Sequence, residues 1–430
     1  MSHLKWIKNQ IPKTDCSKSL SLMDIETVSG IRNFHKSFPQ YGVTPLVSLE
    51  KLACELGVGG IYIKDESYRF GLNSFKALGC TYALAGYIAQ RLGIPVQELD
   101  YGSLPEAAAK LGEFTFFAAT DGNHGRAVAW AARELGQKAV IFMNKGCPQV
   151  RLDHIKREGA EASISDLNYD DTIRYVTELA AKTPNSVIVQ DTAWEGYEDI
   201  PGWIMQGYAV MALEACQQLR EKNITPTHMM IQAGVGAFAG SAQAYVSNFY
   251  DENDPVSFVV EPDVADCYYR SAERGDGEPV NVGGDMKTIM AGLACGEPSL
   301  LSWDILKNKS DFFVTIGDNH AANAMRLLGA PVPGDDRVIS GESGASGMGF
   351  LLELLTSDDL ALLREQSGIN KDSQFLLFST EGDTDPDNYR DIIWNGKYGN
   401  PDFKLLMKVI EKRKIKVNIP KKRSKTFNED

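Results

Sequence analysis

Four stretches carry residue types from which a reaction centre could be built. NSFK (73–76) puts Lys76 where a polar loop enters a helix-like run, and DGNHG (121–125) groups Asp121, Gly122, Asn123 and His124. QAGVGAFAG (232–240) is glycine-rich, and FSTEGDTD (378–385) offers hydroxyls at Ser379 and Thr380. A lysine in the first turn of a helix faces the positive end of the macrodipole, which is expected to lower its pKa and make it a better nucleophile and imine former. In the second stretch a helix cap would account for Asp121 or Asn123, but hardly for all four residues together. In the third, small residues at Gly234, Gly236, Ala237, Ala239 and Gly240 leave backbone N–H groups able to wrap an anion at a helix N-terminus. That stretch lacks the Lys-Ser/Thr of a P-loop, and its glycines are spaced too widely for a dinucleotide fingerprint, so a small monophosphate fits it better.

The elements that must position these residues follow from hydrophobic patterning. Short apolar runs at 60–66, 114–120, 139–144, 160–166, 186–191, 228–234, 256–262, 311–317 and 374–380 are expected to be strands. Helix-like stretches at 124–136, 168–182, 203–221, 236–250 and 347–366 lie between them. Strands apolar on both faces, alternating with helices, predict an α/β fold of mostly parallel twisted sheets flanked by helices. In such sheets ligands collect beyond the carboxyl ends of the strands, where the polar and glycine-rich loops fall. Segment 97–113 is polar and poorly patterned and is expected to be a surface insertion. No repeat of fixed period and no Pro- or Ser-rich linker divides the chain.

Taken together, the four stretches resemble the motifs of the fold-type II, tryptophan-synthase-β-like pyridoxal-phosphate enzymes. NSFK is similar to that family's lysine motif and DGNHG to its asparagine loop. AGVGAFAG is similar to its phosphate loop, and FSTEGDTD to its Ser-x-x-Gly-Asp segment, in the same order. The resemblance spans about residues 40–400. It implies two domains, each a mostly parallel twisted sheet flanked by helices, with the smaller inserted into the larger: 1–88 and 196–411 around 89–195, followed by a basic tail, 412–430. It also implies that Lys76 would bind pyridoxal 5'-phosphate covalently and that Asn123 would bond the ring hydroxyl. Gly234, Val235, Gly236 and Ala237 would hold the phosphate, and Ser379 or Thr380 would face the pyridine nitrogen. A neutral hydroxyl there makes a milder electron sink than a carboxylate, which suits β-elimination more than transamination.

Within that family, TDGNHGRAVAW (120–130), QDTAWEGYEDIPGWIMQGY (190–208), IMAGLACGEPS (289–299) and SGESGASG (340–347) are similar to the branch that eliminates ammonia from 2,3-diaminopropionate. Serine and threonine dehydratases usually carry Ala or Ser where this chain has Asp121. The resemblance implies pyruvate and two ammonia as products, from D and L substrate alike, with Lys76 and Asp121 as bases on opposite faces of the cofactor. Asp121 and Asp191 are candidates to meet the substrate's second ammonium, although Asp191 also reads as a helix cap. Ser74, Thr120, His124 and Tyr169 are candidates for substrate contact; a packed tyrosine and a structural histidine compete for the last two. Glu342 stays open between the cofactor ring and a helix cap. The family implies a homodimer.

Two rivals remain: a serine or threonine dehydratase or related β-eliminating enzyme, and a regulatory protein that binds pyridoxal phosphate without turnover. A nicotinamide dehydrogenase would need GxGxxG after the first strand, and RFGLNSFK does not supply it. Six histidines show no HxxxH or HxH spacing, so no metal is expected.

Composition sets the outer bounds. The chain has 430 residues and a formal net charge of −13. That charge is uneven: 412–425 holds 8 Lys or Arg and no acid, leaving 36 basic against 57 acidic residues elsewhere. The acidic body argues against a duplex nucleic-acid partner, and the tail reads as a solvated end. The longest uncharged run, about 229–250, carries Gln, Ser, Asn and several Gly and is no membrane span. Without a signal-type N-terminus or CxxC spacing, the 7 cysteines read as reduced thiols in the cytoplasm. Cys267 and Cys295 flank the stretch 274–292 and could come close in space, which leaves a disulfide between them open.

Overall fold

The computed structural model describes residues 4–399. In chain order its strands are β1 (Lys5–Lys8), β2 (Leu46–Ser48), β3 (Gly60–Asp65), β4 (Thr115–Thr120), β5 (Lys138–Met143), β6 (Glu161–Ile164), β7 (Ser186–Ile188), β8 (His228–Gln232), β9 (Val256–Pro262), β10 (Phe312–Ile316) and β11 (Gln374–Ser379). They form a seven-stranded sheet, β1-β10-β9-β8-β11-β3-β2, and a four-stranded sheet, β6-β5-β4-β7. The smaller sheet is parallel throughout. The larger is parallel except at its edges, where β1 and β2 run antiparallel to their neighbours.

The central strands are apolar on both faces because helices cover both. Alternate residues go to opposite sides. Tyr62, Met229, Val259 and Leu376 join one core, and Ile61, Met230, Phe258 and Phe375 the other. The first core continues without a break into the four-stranded sheet through Phe116, Ile141 and Val187. A shared core removes the need for a linker. The helix Lys76–Leu92 begins beside the large sheet and runs past the expected division at 88/89.

Every expected strand is present, with ends trimmed by a few residues. The edge strands β1 (KWIK) and β2 (LVS) escape the pattern because one is polar and the other has only three residues. Segment 97–113 is a correction. It contains a helix, Leu104–Leu111, whose Leu104, Ala107 and Ala108 are buried, so it is a packed part of the core rather than a surface insertion. The expected helix at 347–366 is two helices, Ser346–Thr356 and Ala361–Gln366, separated by a 3-10 turn at Asp358–Leu360. Residues 400–411 of the expected large domain, and the basic tail 412–430, lie outside the described residues. Among the described residues no helix is long and apolar enough to cross a membrane.

A buried ionic network braces the chain just upstream of Lys76. Glu214 Oε2 lies 2.7 Å from both Lys64 Nζ and Arg69 Nη2, and Glu66 Oε2 lies 2.8 Å from Arg69 Nε, all with fully buried side chains. Tyr41 donates to Glu214 Oε1 at 2.7 Å and Thr44 to Glu66 Oε1 at 2.6 Å. Two cations facing two carboxylates offset the cost of burial, which an unpaired member would expose in full.

Candidate active site

A cavity opens beyond the carboxyl ends of β3, β4, β8 and β11, where the larger sheet changes winding direction beside β8. Its wall includes Phe75, Lys76, Asp121, Asn123, Asp191, Gln232, Gly234, Val235, Gly236, Ala237, Thr380 and Glu381. Five segments distant in sequence therefore meet in one place.

Lys76 is the first residue of its helix, and its Nζ lies 2.5 Å from Asp191 Oδ2. Asp191 follows β7 and caps no helix; the next helix begins at Asp199. Its Oδ2 also accepts from Tyr208 Oη at 3.2 Å, and the Tyr208 ring packs against Phe75 with centroids 4.5 Å apart. Burial pulls the Lys76 ammonium down, but Asp191, aided by Asp121, more than reverses this and holds it above the ordinary lysine value. That corrects the expectation from the helix dipole. A carboxylate in contact outweighs partial charges at the helix end.

In the second loop, Thr120 Oγ1 accepts from the N–H groups of Gly122 and Gly125, both at 2.9 Å. Thr120 thus closes the turn, and Asp121 is freed from capping to face the cavity and Arg151. Asn123 donates to Glu381 Oε2 across the cavity. His124 lies behind Asp191, with Nδ1 4.0 Å from Asp191 Oδ2, 3.7 Å from Cys80 Sγ, and Nε2 2.8 Å from the Val189 carbonyl. Burial lowers its pKa, and the ring supports Asp191 from behind.

The glycine-rich turn runs from β8 into the helix Ala237–Tyr250. Gly236 has φ +92°, and a Cβ there would sit 1.9 Å from Tyr268 Oη, so only glycine fits. Tyr268 in turn donates to the Val235 carbonyl at 2.7 Å, fixing the turn from behind. The first N–H groups of a helix have no intrahelical acceptor, which leaves this end suited to an anion.

Not every expected residue lines the wall. Ser379 turns away and donates to Ser340 Oγ at 2.8 Å, while Thr380 faces the cavity. Ser74 is buried and accepts from the Lys76 N–H at 3.4 Å. Tyr169 is buried at the start of the helix Tyr169–Lys182; burial, then the nearby Cys295, Asp191 and Asp121, push its phenol well up. Glu342 neither caps a helix nor lines the cavity. It accepts from Asn388 Nδ2 at 2.5 Å and lies 3.8 Å from Arg151 Nη2. Cys267 and Cys295 do come close, with Cys267 Sγ 3.8 Å from the Cys295 carbonyl, but both are buried free thiols.

Sequence reasoning missed several members of the site. Glu381 follows the expected hydroxyls directly and accepts from Asn123, the Ser343 N–H and Thr384. Gln232 precedes the glycine turn; its Nε2 donates to the Phe378 carbonyl at 2.9 Å, and its buried Oε1 has no partner. Arg151 lies in an ordinary-looking amphipathic helix with nothing local to mark it. For Glu381 and Gln232 the signal was adjacency to a motif.

A lysine and an anion-binding helix end on one cavity, with a hydroxyl and an amide on its walls, are the donor set for a phosphorylated aldehyde cofactor. The glycines leave the close approach that its phosphate needs. Fold and site together define an α/β enzyme of the pyridoxal-phosphate type. The family described as pyridoxal-phosphate dependent enzyme matches residues 38–361, and the chain belongs to it. The chain is 49% identical over 383 residues to the diaminopropionate ammonia-lyase of Salmonella typhimurium, covering 88% of this chain and 95% of that protein. It is 50% identical over 367 residues to that of Escherichia coli K12, covering 85% and 91%. The crystal structure of the Escherichia coli diaminopropionate ammonia lyase in complex with D-serine superposes with a TM-score of 0.86 at 46% identity, covering 92% of this chain and 98% of that one.

Proposed function

We propose that this chain is a pyridoxal-phosphate-dependent ammonia-lyase that converts 2,3-diaminopropionate, in its D and L forms, to pyruvate and two ammonia. The observation that carries this reading is the pair of carboxylates, Asp121 and Asp191, sharing a cavity with Lys76. A hydroxy-amino acid carries one ammonium, whereas the diamino acid brings a second, and the extra acid beside the lysine suits that charge.

Pyridoxal phosphate, when bound, supplies the electron sink for loss of the α-proton. Lys76 would hold it covalently, Gly234, Val235, Gly236 and Ala237 its phosphate, Asn123 its ring hydroxyl, and Thr380, with Ser379 behind it, its ring nitrogen. Once the substrate's α-amino group has displaced it, the free Lys76 Nζ would serve as base toward the α-proton of one enantiomer and Asp121 toward that of the other. Asp191 orients Lys76 and holds the departing β-ammonium. Ser74, Thr120, His124 and Tyr169 shape the surrounding loops from behind the wall. The released enamine hydrolyses to pyruvate and the second ammonia. A homodimer is supported by the family, and a cytoplasmic setting by the free thiols among the described residues.

Pyruvate release from D- and L-diaminopropionate, assayed beside serine and threonine, tests the reading. The diamino acid should give the higher kcat/KM. A preference for serine or threonine would make the protein a dehydratase, and no pyruvate from any of them would make it a binding protein.

A further inference from the structure

Arg151 stands outside every motif described above, yet it is the cation most tightly tied to Asp121. It lies on the helix Gln149–Arg157, which belongs to the four-stranded unit, and only 4% of its surface is exposed. Nη1 is 3.3 Å from Asp121 Oδ2 and 3.5 Å from the Asp121 carbonyl oxygen. Nη2 is 3.8 Å from Glu342 Oε2, on the 340–347 turn beside the larger sheet. The stem packs on the loop itself, since a Cβ at Gly122 would meet Arg151 Cδ at 2.8 Å. Nε is buried without a hydrogen-bond partner, so the guanidinium is held by its carboxylates rather than by a full set of hydrogen bonds. Burial opposes its charge, and Glu381, Asp121, Glu342 and Asp385 together outweigh that.

We propose that Arg151 is a positioning residue that holds the Asp121 carboxylate at the cavity wall while tying the four-stranded unit to the 340–347 turn. The inference rests on the reading of Asp121 as a base. An aspartate on a glycine-containing loop has two free side-chain torsions and a compliant backbone. One guanidinium contacting both its carboxylate and its carbonyl oxygen fixes the two ends together. Displacement of a base by about 1 Å is enough to cost on the order of 10²-fold in rate. Lysine, a point charge, can retain the contact with Asp121 but cannot also span to Glu342.

The experiment is a mutant cycle on the cofactor-loaded enzyme with Arg151→Met, Arg151→Lys, Asp121→Asn and the Met/Asn double variant. It reads kcat and KM for D- and L-diaminopropionate, the absorbance of the bound cofactor, and the thermal midpoint. Arg151→Met is expected to lower kcat about 10²-fold for the enantiomer that depends on Asp121, with much smaller change in KM, in the other enantiomer and in cofactor absorbance. Arg151→Lys should restore part of the loss, and Arg151→Met should cost almost nothing further once Asp121 is Asn. Equal losses for both enantiomers on Arg151→Met, or an undiminished loss in the Asp121→Asn background, would overturn the proposal. If Asp121→Asn itself slows both enantiomers alike, the base assignment fails, and coupling in the cycle still decides whether Arg151 acts through Asp121. If the Met variant does not fold, Arg151→Lys with the Lys/Asn double variant closes a cycle of smaller amplitude, and a loss on Arg151→Lys that persists undiminished once Asp121 is Asn would again overturn the proposal.

Discussion

Lys76 Nζ and Asp191 Oδ2 lie 2.5 Å apart inside the cavity, on side chains 17% and 2% exposed. Each alters the other. The carboxylate keeps the lysine charged against burial, and the lysine keeps the carboxylate ionised against the same force. The nucleophile is therefore stored as an ion pair and must pass its proton on before it attacks a carbonyl.

Replacing Lys76 with Ala should remove the visible-edge absorbance of a lysine-bound cofactor and lower activity by about 10²–10⁴-fold or more. A spectrum of the purified variant checks this. Retention of that absorbance would mean that another amine carries the cofactor.

Acid titration should expose the ion pair. Burial pushes Asp191 up, but Lys76 and then His124 outweigh it and hold its carboxyl at about 2, against 3.8 ordinarily. A depressed carboxyl stabilises the fold fully above its unfolded value, and the stabilisation is lost as pH falls through the folded one. In cofactor-free protein, the stability lead of wild type over Asp191→Asn should be complete above pH 3.8 and shrink toward pH 2. Urea unfolding across this window measures it, and a lead that does not change with pH would count against the pair.

Gly236→Ala should disrupt phosphate binding, because the added Cβ meets Tyr268 Oη at 1.9 Å and the φ of +92° is strained for alanine. We expect a loss of more than about 1 kcal/mol in stability, with weaker cofactor retention. Equilibrium dialysis and thermal melting report the two effects. Tyr268→Phe removes the hydroxyl and with it the bond to the Val235 carbonyl, and should cost about 1 kcal/mol.

Glu214→Gln leaves Lys64 and Arg69 short of their shared carboxylate in a fully buried site. Breaking such a network should destabilise the protein by about 3–5 kcal/mol. Chemical denaturation gives the value directly. A loss near zero would mean that water or Glu66 already compensates.

The residues themselves determined the strand-and-helix alternation, the parallel sheets and the loops at their carboxyl ends, because burial on both faces writes a continuous apolar run. They also marked Lys76, Asp121, Asn123 and the glycine turn, since a charged or flexible residue between a strand and a helix stands out locally. The tertiary structure alone decided which groups meet. Asp191 read both as a carboxylate for the substrate and as a helix cap until the fold brought it to Lys76, and that contact reversed the direction of the lysine's pKa. Thr380 rather than Ser379 faces the cavity because successive residues of an extended segment point to opposite sides. Arg151 and Glu342 acquire their importance across an interface between two sheets, through contacts between residues far apart in the chain. Local patterns record what a residue does to its own segment; charge pairs between distant segments exist only once packing has brought them together and excluded the water that would screen them.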